Sequence, residues 1–181
     1  LVRNYPALRV LNSGAMAQLA DNMVASLPTQ GVYVLADVAY DLLLLDARLH
    51  HARGANPHVL VHSRSLEFSR YHQQLAKRYP QRWPFAAELA GAPDPIDGTQ
   101  LMTRIASLAA SNEVYYLNPS FGYYFELVRL VPHGVAYRVE ALRNDTLTPP
   151  GLTAKELTPT QEFWEKVAPG LASLRDHPGV L

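Results

Sequence analysis

Cysteine is absent from the 181 residues, which excludes a disulfide scaffold and any thiolate metal site. Charge of one sign is not in excess: 16 Lys and Arg stand against 16 Asp and Glu. Nucleic-acid binders that work electrostatically carry a clear basic surplus, so no nucleic-acid partner is expected. Long apolar runs are also missing. The strongest, Leu42-Leu43-Leu44-Leu45, falls far short of the ~20 residues that span a bilayer, and this stretch of chain is expected not to cross one. The ten glycines never fall as Gly-x-Gly, and neither Gly-x-x-x-x-Gly-Lys nor Gly-x-Ser-x-Gly occurs. A dinucleotide fingerprint, a phosphate loop and a hydrolase elbow are thereby removed, and no cofactor is expected.

What is present is a 48% apolar chain long enough to bury a core. Three short runs read as strands: Gly31 to Ala36, His58 to His62 and Glu113 to Leu117. Each is continuously apolar rather than alternating, the pattern of parallel strands covered on both faces. Helical segments lie between them. Val38 to Ala52 is nearly all apolar and closes with Arg53-Gly54; Leu66 to Tyr79 is amphipathic, with Ser65 as cap and Pro80 as stop; Gln100 to Ala110 carries Leu101, Ile105 and Leu108. An opening helix is expected from Pro6 to Ser26. Phe125 to Val131 and the alternating strand from Val135, separated by Pro132-His133-Gly134, read as an antiparallel hairpin with one wet face. The fold expected is α/β: a three-layer Rossmann-like sandwich of three parallel strands plus an antiparallel edge hairpin, with helices on both faces. It should occupy residues 1–142. Residues 143–181 read as a Pro-rich linker and a short helix near Thr160 to Val167, whose Phe163-Trp164 must dock somewhere. Pro80 to Gly98 holds four prolines with Trp83, Phe85 and Ile96, and reads as a functional loop or docking surface.

Two constellations carry candidate chemistry. In open α/β sheets ligands sit beyond the carboxyl ends of the strands, and there Asp37, Ser63-Arg64-Ser65 and Asn118-Pro119-Ser120 follow the three strands. Asp37, Arg64 and Asn118 hold a small polar ligand on one reading; on the plainer one Asp37 caps the helix starting at Val38, and Ser63 or Ser65 the next. The second is the aromatic stretch Tyr115 to Glu126, including Ser120, Tyr123 and Tyr124, which either faces a sugar ring or partner or packs as a bridge to the hairpin. Glu126 and His133 form a possible acid/base pair across the hairpin, or a surface link. His58 and His62 have helical zinc spacing, but on a strand they lie about 13 Å apart, so no shared metal is expected.

The segment Val114 to Glu126 with its Ser120-Phe121-Gly122-Tyr123-Tyr124-Phe125-Glu126 core, followed by Pro132-His133-Gly134-Val135-Ala136-Tyr137-Arg138, resembles the late part of a bacterial multi-pass membrane-protein family. That family is itself similar to protein O-mannosyltransferases and C-type glycosyltransferases. Ala36 to Leu45, Ser65-Leu66, Tyr71-His72 and Arg78-Tyr79-Pro80 fit the same pattern, so the resemblance covers roughly residues 30–140. It implies a water-exposed, extracytoplasmic (periplasmic) domain that follows a transmembrane bundle and is often followed by tetratricopeptide repeats. The start at Leu1 rather than Met fits a piece of such a longer chain. The family's catalytic acid sits in its membrane part, so no catalytic residue carries over. The expected partners are the transmembrane part of the same polypeptide and a glycan or polypeptide acceptor. The function expected is non-catalytic recognition or positioning of that acceptor; the alternatives are a free-standing enzyme using the strand-end rim and a protein-protein docking module.

Overall fold

The computed structural model describes residues 14–119, 127–143 and 148–175. Within them the chain runs α1 (Ala15–Ala25), β1 (Tyr33–Ala36), α2 (Ala39–Arg53), β2 (Val59–His62), a 3-10 turn (Ser63–Glu67), α3 (Ser69–Arg78), α4 (Gly98–Ser111), β3 (Val114–Leu117), β4 (Val128–His133), β5 (Ala136–Ala141) and α5 (Ala154–Arg175). The strands form one mixed sheet in the order β2-β1-β3-β5-β4. β1 pairs parallel with β2 and β3, and β5 runs antiparallel between β3 and β4, as the apolar runs and the hairpin pattern predict.

Every residue of β1 and β3 is buried. Because successive side chains point to opposite faces, these strands divide between two apolar clusters. Tyr33, Leu35, Val59, Val61, Val114 and Tyr116 join Leu75 of α3 and Ile105 of α4. Val34, Ala36, Leu60, Tyr115 and Leu117 join Met23 of α1 and Leu42, Leu45 and Leu49 of α2. The outer edge of β2 is closed by tyrosines: the N–H groups of Leu60 and His62 donate to the hydroxyls of Tyr79 and Tyr71 at 3.1 and 2.8 Å. Such an edge would otherwise offer free donors to another strand.

Several boundaries differ from expectation, each for a local reason. The predicted helix Leu66–Tyr79 is a 3-10 turn and then α3, broken at an extended Phe68. Asp94 takes over the capping expected of Ser65: its Oδ1 accepts the N–H of Ser69 at 2.7 Å, and Ile96 N–H donates to the Glu67 carbonyl. The proline-rich segment is no docking surface at Trp83 and Phe85, which are buried with Leu89 and Ile96 in the first cluster. On β5, Ala136 is buried while Tyr137 is exposed, so neither face is uniformly wet. The C-terminal helix spans 22 residues and runs through Pro159 and Pro169. Those two prolines bound the short helix that the sequence suggests, because proline reads as a breaker although a helix can absorb it at the loss of one hydrogen bond each. Of the opening helix, Ala15–Ala25 is observed, and its predicted start at Pro6 lies outside the described residues, as does Phe125.

α5 is fastened to β4 by charge. Arg129 Nη2 lies 2.7 Å from Glu140 Oε2 and also pairs with Glu156 Oε1. Glu156 closes a capping box with Thr153: its carboxylate accepts from Thr153 N at 2.7 Å and Oγ1 at 2.8 Å, and its own N–H reaches Thr153 Oγ1. These bonds, the Thr153 ones first and the Arg129 guanidinium second, pull the Glu156 carboxyl from 4.5 down to about 2. A depressed carboxyl contributes stability that is complete above its unfolded value and lost as pH falls through its folded one. Docking of α5, read by Trp164 fluorescence, is therefore expected to hold down to pH 4.5 and to fail between there and about 2. Glu156→Gln is expected to loosen the helix at neutral pH and abolish that acid step.

Candidate functional site

The chain passes from β1 to β2 on one side and then returns to β3 on the other side of β1, so the strand order reverses at β1. Open sheets bind ligands beyond the carboxyl ends of the strands at such a reversal. Asp37 follows β1 there but caps no helix; the N-cap of α2 is Val38, without a side-chain bond. Asp37 is buried instead, and its Oδ1 accepts hydrogen bonds from the hydroxyls of Ser63, beyond β2, and Tyr116, on β3. One carboxylate thus ties the ends of all three parallel strands. His62 braces it from the side, with Nε2 donating to the Asp37 carbonyl at 3.2 Å and Nδ1 2.7 Å from Ser65 Oγ.

The other rim residues do not join this cluster. Arg64 stands exposed on the 3-10 turn. Asn118, in a left-handed conformation with φ 46°, directs Nδ2 to Asp41 Oδ2 at 3.4 Å and bridges β3 to the first turn of α2. Asn118 instead lines a cavity of about 360 Å3 that neither Asp37 nor Arg64 reaches. Leu19 and Met23 of α1, Leu117 of β3, Tyr137 with the hairpin turn, and Thr160 and Trp164 of α5 make its walls. Tyr137 and Trp164 are 37% and 39% exposed, so both rings are open to a ligand, and among the described residues none that lines the cavity is charged.

The cavity keeps its shape through Ser26, just after α1. Ser26 Oγ accepts the N–H of Val135 at 2.9 Å and its carbonyl accepts from His133 Nδ1 at 2.9 Å, while Thr160 Oγ1 accepts the N–H of Gly134. His133 also stacks edge-on against Tyr115, with ring centroids 5.3 Å apart. It is a strut of the hairpin. Gly134 has φ 66°, and a Cβ there would strike Ser26 Oγ and lie 3.2 Å from Phe163.

Ser120, Tyr123, Tyr124 and Glu126 lie outside the described residues, and with Glu126 so does its pairing with His133. Trp164, Tyr137 and Thr160 were not singled out by sequence as site residues. The only signal was the unplaced Phe163-Trp164 pair. His58 is buried with Nδ1 accepting the Val32 N–H at 3.3 Å, and burial, aided by Arg53 and Arg82, lowers its pKa to about 4. Among the described residues no group of three or more His, Asp and Glu is placed to hold a metal ion, and no helix is long and apolar enough to cross a membrane. No family model, curated protein or solved structure matches the chain.

Two substitutions test this architecture. Tyr116→Phe removes one donor from a buried carboxylate and is expected to cost about 1.5–3 kcal/mol, read by urea denaturation. Gly134→Ala forces a left-handed alanine against Ser26 and is expected to cost about 1–3 kcal/mol. A loss below half a kcal/mol in the first, on the same order as experimental scatter, contradicts the shared-carboxylate account.

Proposed function

We propose that this chain is a recognition domain with no catalytic residues of its own, belonging to a larger membrane-bound, glycosyltransferase-like protein on the extracytoplasmic side. It holds an uncharged glycan acceptor in the cavity beside the end of β3. The observation that carries the reading is the lining itself. Two part-exposed aromatic rings, Tyr137 and Trp164, stand with the Asn118 amide and the Thr160 hydroxyl in a cavity whose described lining residues carry no charge. Flat π faces suit the apolar face of a sugar ring, and neutral donors and acceptors suit its hydroxyls. The architecture is proposed to be a three-layer Rossmann-like sandwich, which supplies a strand-end crevice at the reversal of strand order. The wider context, with a transmembrane part as covalent partner, rests on the resemblance of residues 30–140.

The buried Asp37 supports this reading over the rival in which a free-standing enzyme uses the rim. Its carboxylate is turned inward to Ser63 and Tyr116, and it shares no cavity with Asn118.

Titration with uncharged hexose oligosaccharides, followed by tryptophan fluorescence, tests the proposal. Binding is expected, and Trp164→Phe and Tyr137→Ala are each expected to weaken it about tenfold with the unfolding midpoint unchanged. Capture of unstructured peptide but no oligosaccharide, or turnover of a sugar donor by this chain alone, overturns it.

A further inference from the structure

α5 touches the rest of the domain at three successive places. Its first turn is held at β4, where Arg129 Nη2 pairs with Glu156 and Nη1 donates to the Pro150 and Gly151 carbonyls at 3.5 Å. Its middle rests on the hairpin turn: Thr160 Oγ1 accepts the Gly134 N–H at 3.2 Å, and Phe163 lies 3.2 Å from where a Gly134 Cβ would stand. Further along, Gly170 meets α1, with Gln18 Nε2 2.6 Å from where a Gly170 Cβ would stand. Thr160 and Trp164 of α5 line the recognition cavity together with Leu19 and Met23 of α1. The cavity is therefore complete only while α5 is docked.

The hold is slight for so long a helix. From Ala154 to Leu171 no residue is buried. Half-buried Glu156, Thr160, Phe163, Val167 and Gly170 recur at spacings of four and three, so α5 meets the domain along a single seam. β1 and β3, by contrast, are buried throughout. A segment with few buried apolar contacts opens at a lower free energy than the core it lies on. That gives the charged fastening its weight. The Arg129 and Glu156 side chains are 15% and 19% exposed, which shields their pairing more than that of an ordinary surface bridge. Neither residue lines the cavity.

We propose that α5 is a strap that opens and closes over the cavity as one unit, and that Arg129 and Glu156 are positioning residues that set ligand affinity by holding it closed. The kind of ligand rests on the recognition reading, whereas the strap rests on the packing of α5. Only the closed state completes the cavity, so the apparent dissociation constant is the intrinsic one divided by the closed fraction. The coupling is reciprocal: a ligand that needs Thr160 and Trp164 in place also holds α5 down.

Hydrogen exchange of the ligand-free chain, read amide by amide at neutral pH, tests the strap first. Amides from Glu162 to Ala168 are expected to be protected about a hundredfold less than those of β1 and β3, through an opening that leaves the sheet intact. Arg129→Met, or Glu156→Gln if that variant does not fold, is expected to lower α5 protection about tenfold further and leave β1 and β3 unchanged. Arg129→Lys keeps the charge without the fork and is expected to restore part of the loss. The same loosening is expected to weaken binding of an uncharged hexose oligosaccharide about three- to tenfold, while the sugar raises α5 protection in the unmodified chain. Exchange of α5 only together with β1 and β3 overturns the proposal. So does a variant with unchanged α5 protection, or one with a loosened α5 and unchanged affinity. Failure of the unmodified chain to bind oligosaccharide defeats the recognition reading instead, and the ligand-free exchange then decides the strap by itself.

Discussion

β1 is four residues long, hydrogen-bonded on both edges and buried on both faces, and the rest of the architecture follows from that constraint. A strand without a wet face needs apolar cover above and below. α1 and α2 supply it to Val34 and Ala36, while α3, α4 and the proline-rich segment supply it to Tyr33 and Leu35. The cover is dense because the strands are short. With so few ladder bonds, side-chain burial at about 25 cal/mol per Å2 has to supply most of the stabilisation. At the β2 edge, tyrosine hydroxyls rather than another strand accept the free N–H groups.

Polar groups accumulate where that cover ends. At the carboxyl ends of the parallel strands the backbone must turn into helices, and Asp37 meets the need by accepting from Ser63 and Tyr116 in place of water. A buried carboxylate is costly unless charge-assisted hydrogen bonds surround it, so this corner is a fastening point rather than an open acid. The open volume lies one strand further on, where α1, the β4–β5 turn and α5 meet around Ser26 and Gly134. The open volume and the fastening point are thereby separated in space. The carboxylate holds the strand ends together, and the aromatic rings beside them remain free to face a ligand.

Much of this was legible in the residues. Continuous Val, Leu and Tyr runs identified the parallel strands, Gly54 marked the end of α2, and Gly134 marked the hairpin turn, although Pro132 and His133, expected in the turn, pair within β4. Other features turned on tertiary contacts that no local pattern encodes. Asp37 before a helix looks like a cap, and only the approach of Ser63 and Tyr116, 26 and 79 residues away, makes it a buried acceptor. Trp83 and Phe85 sit among prolines and look exposed, yet the cluster they fill is assembled from four separate segments. Tyr137 and Trp164 became neighbours because Arg129 and Glu156 draw α5 onto β4, an ion pair spanning 27 residues.

The most direct measurement is a map of backbone amide shifts during titration of the isotope-labelled chain with an uncharged oligosaccharide. The account predicts changes concentrated at Leu117-Asn118, the hairpin turn through Tyr137, and Thr160 to Trp164, with Arg64 and the β2 edge unmoved. Shifts centred on Arg64 and Ser65, with the β4–β5 turn silent, would contradict it.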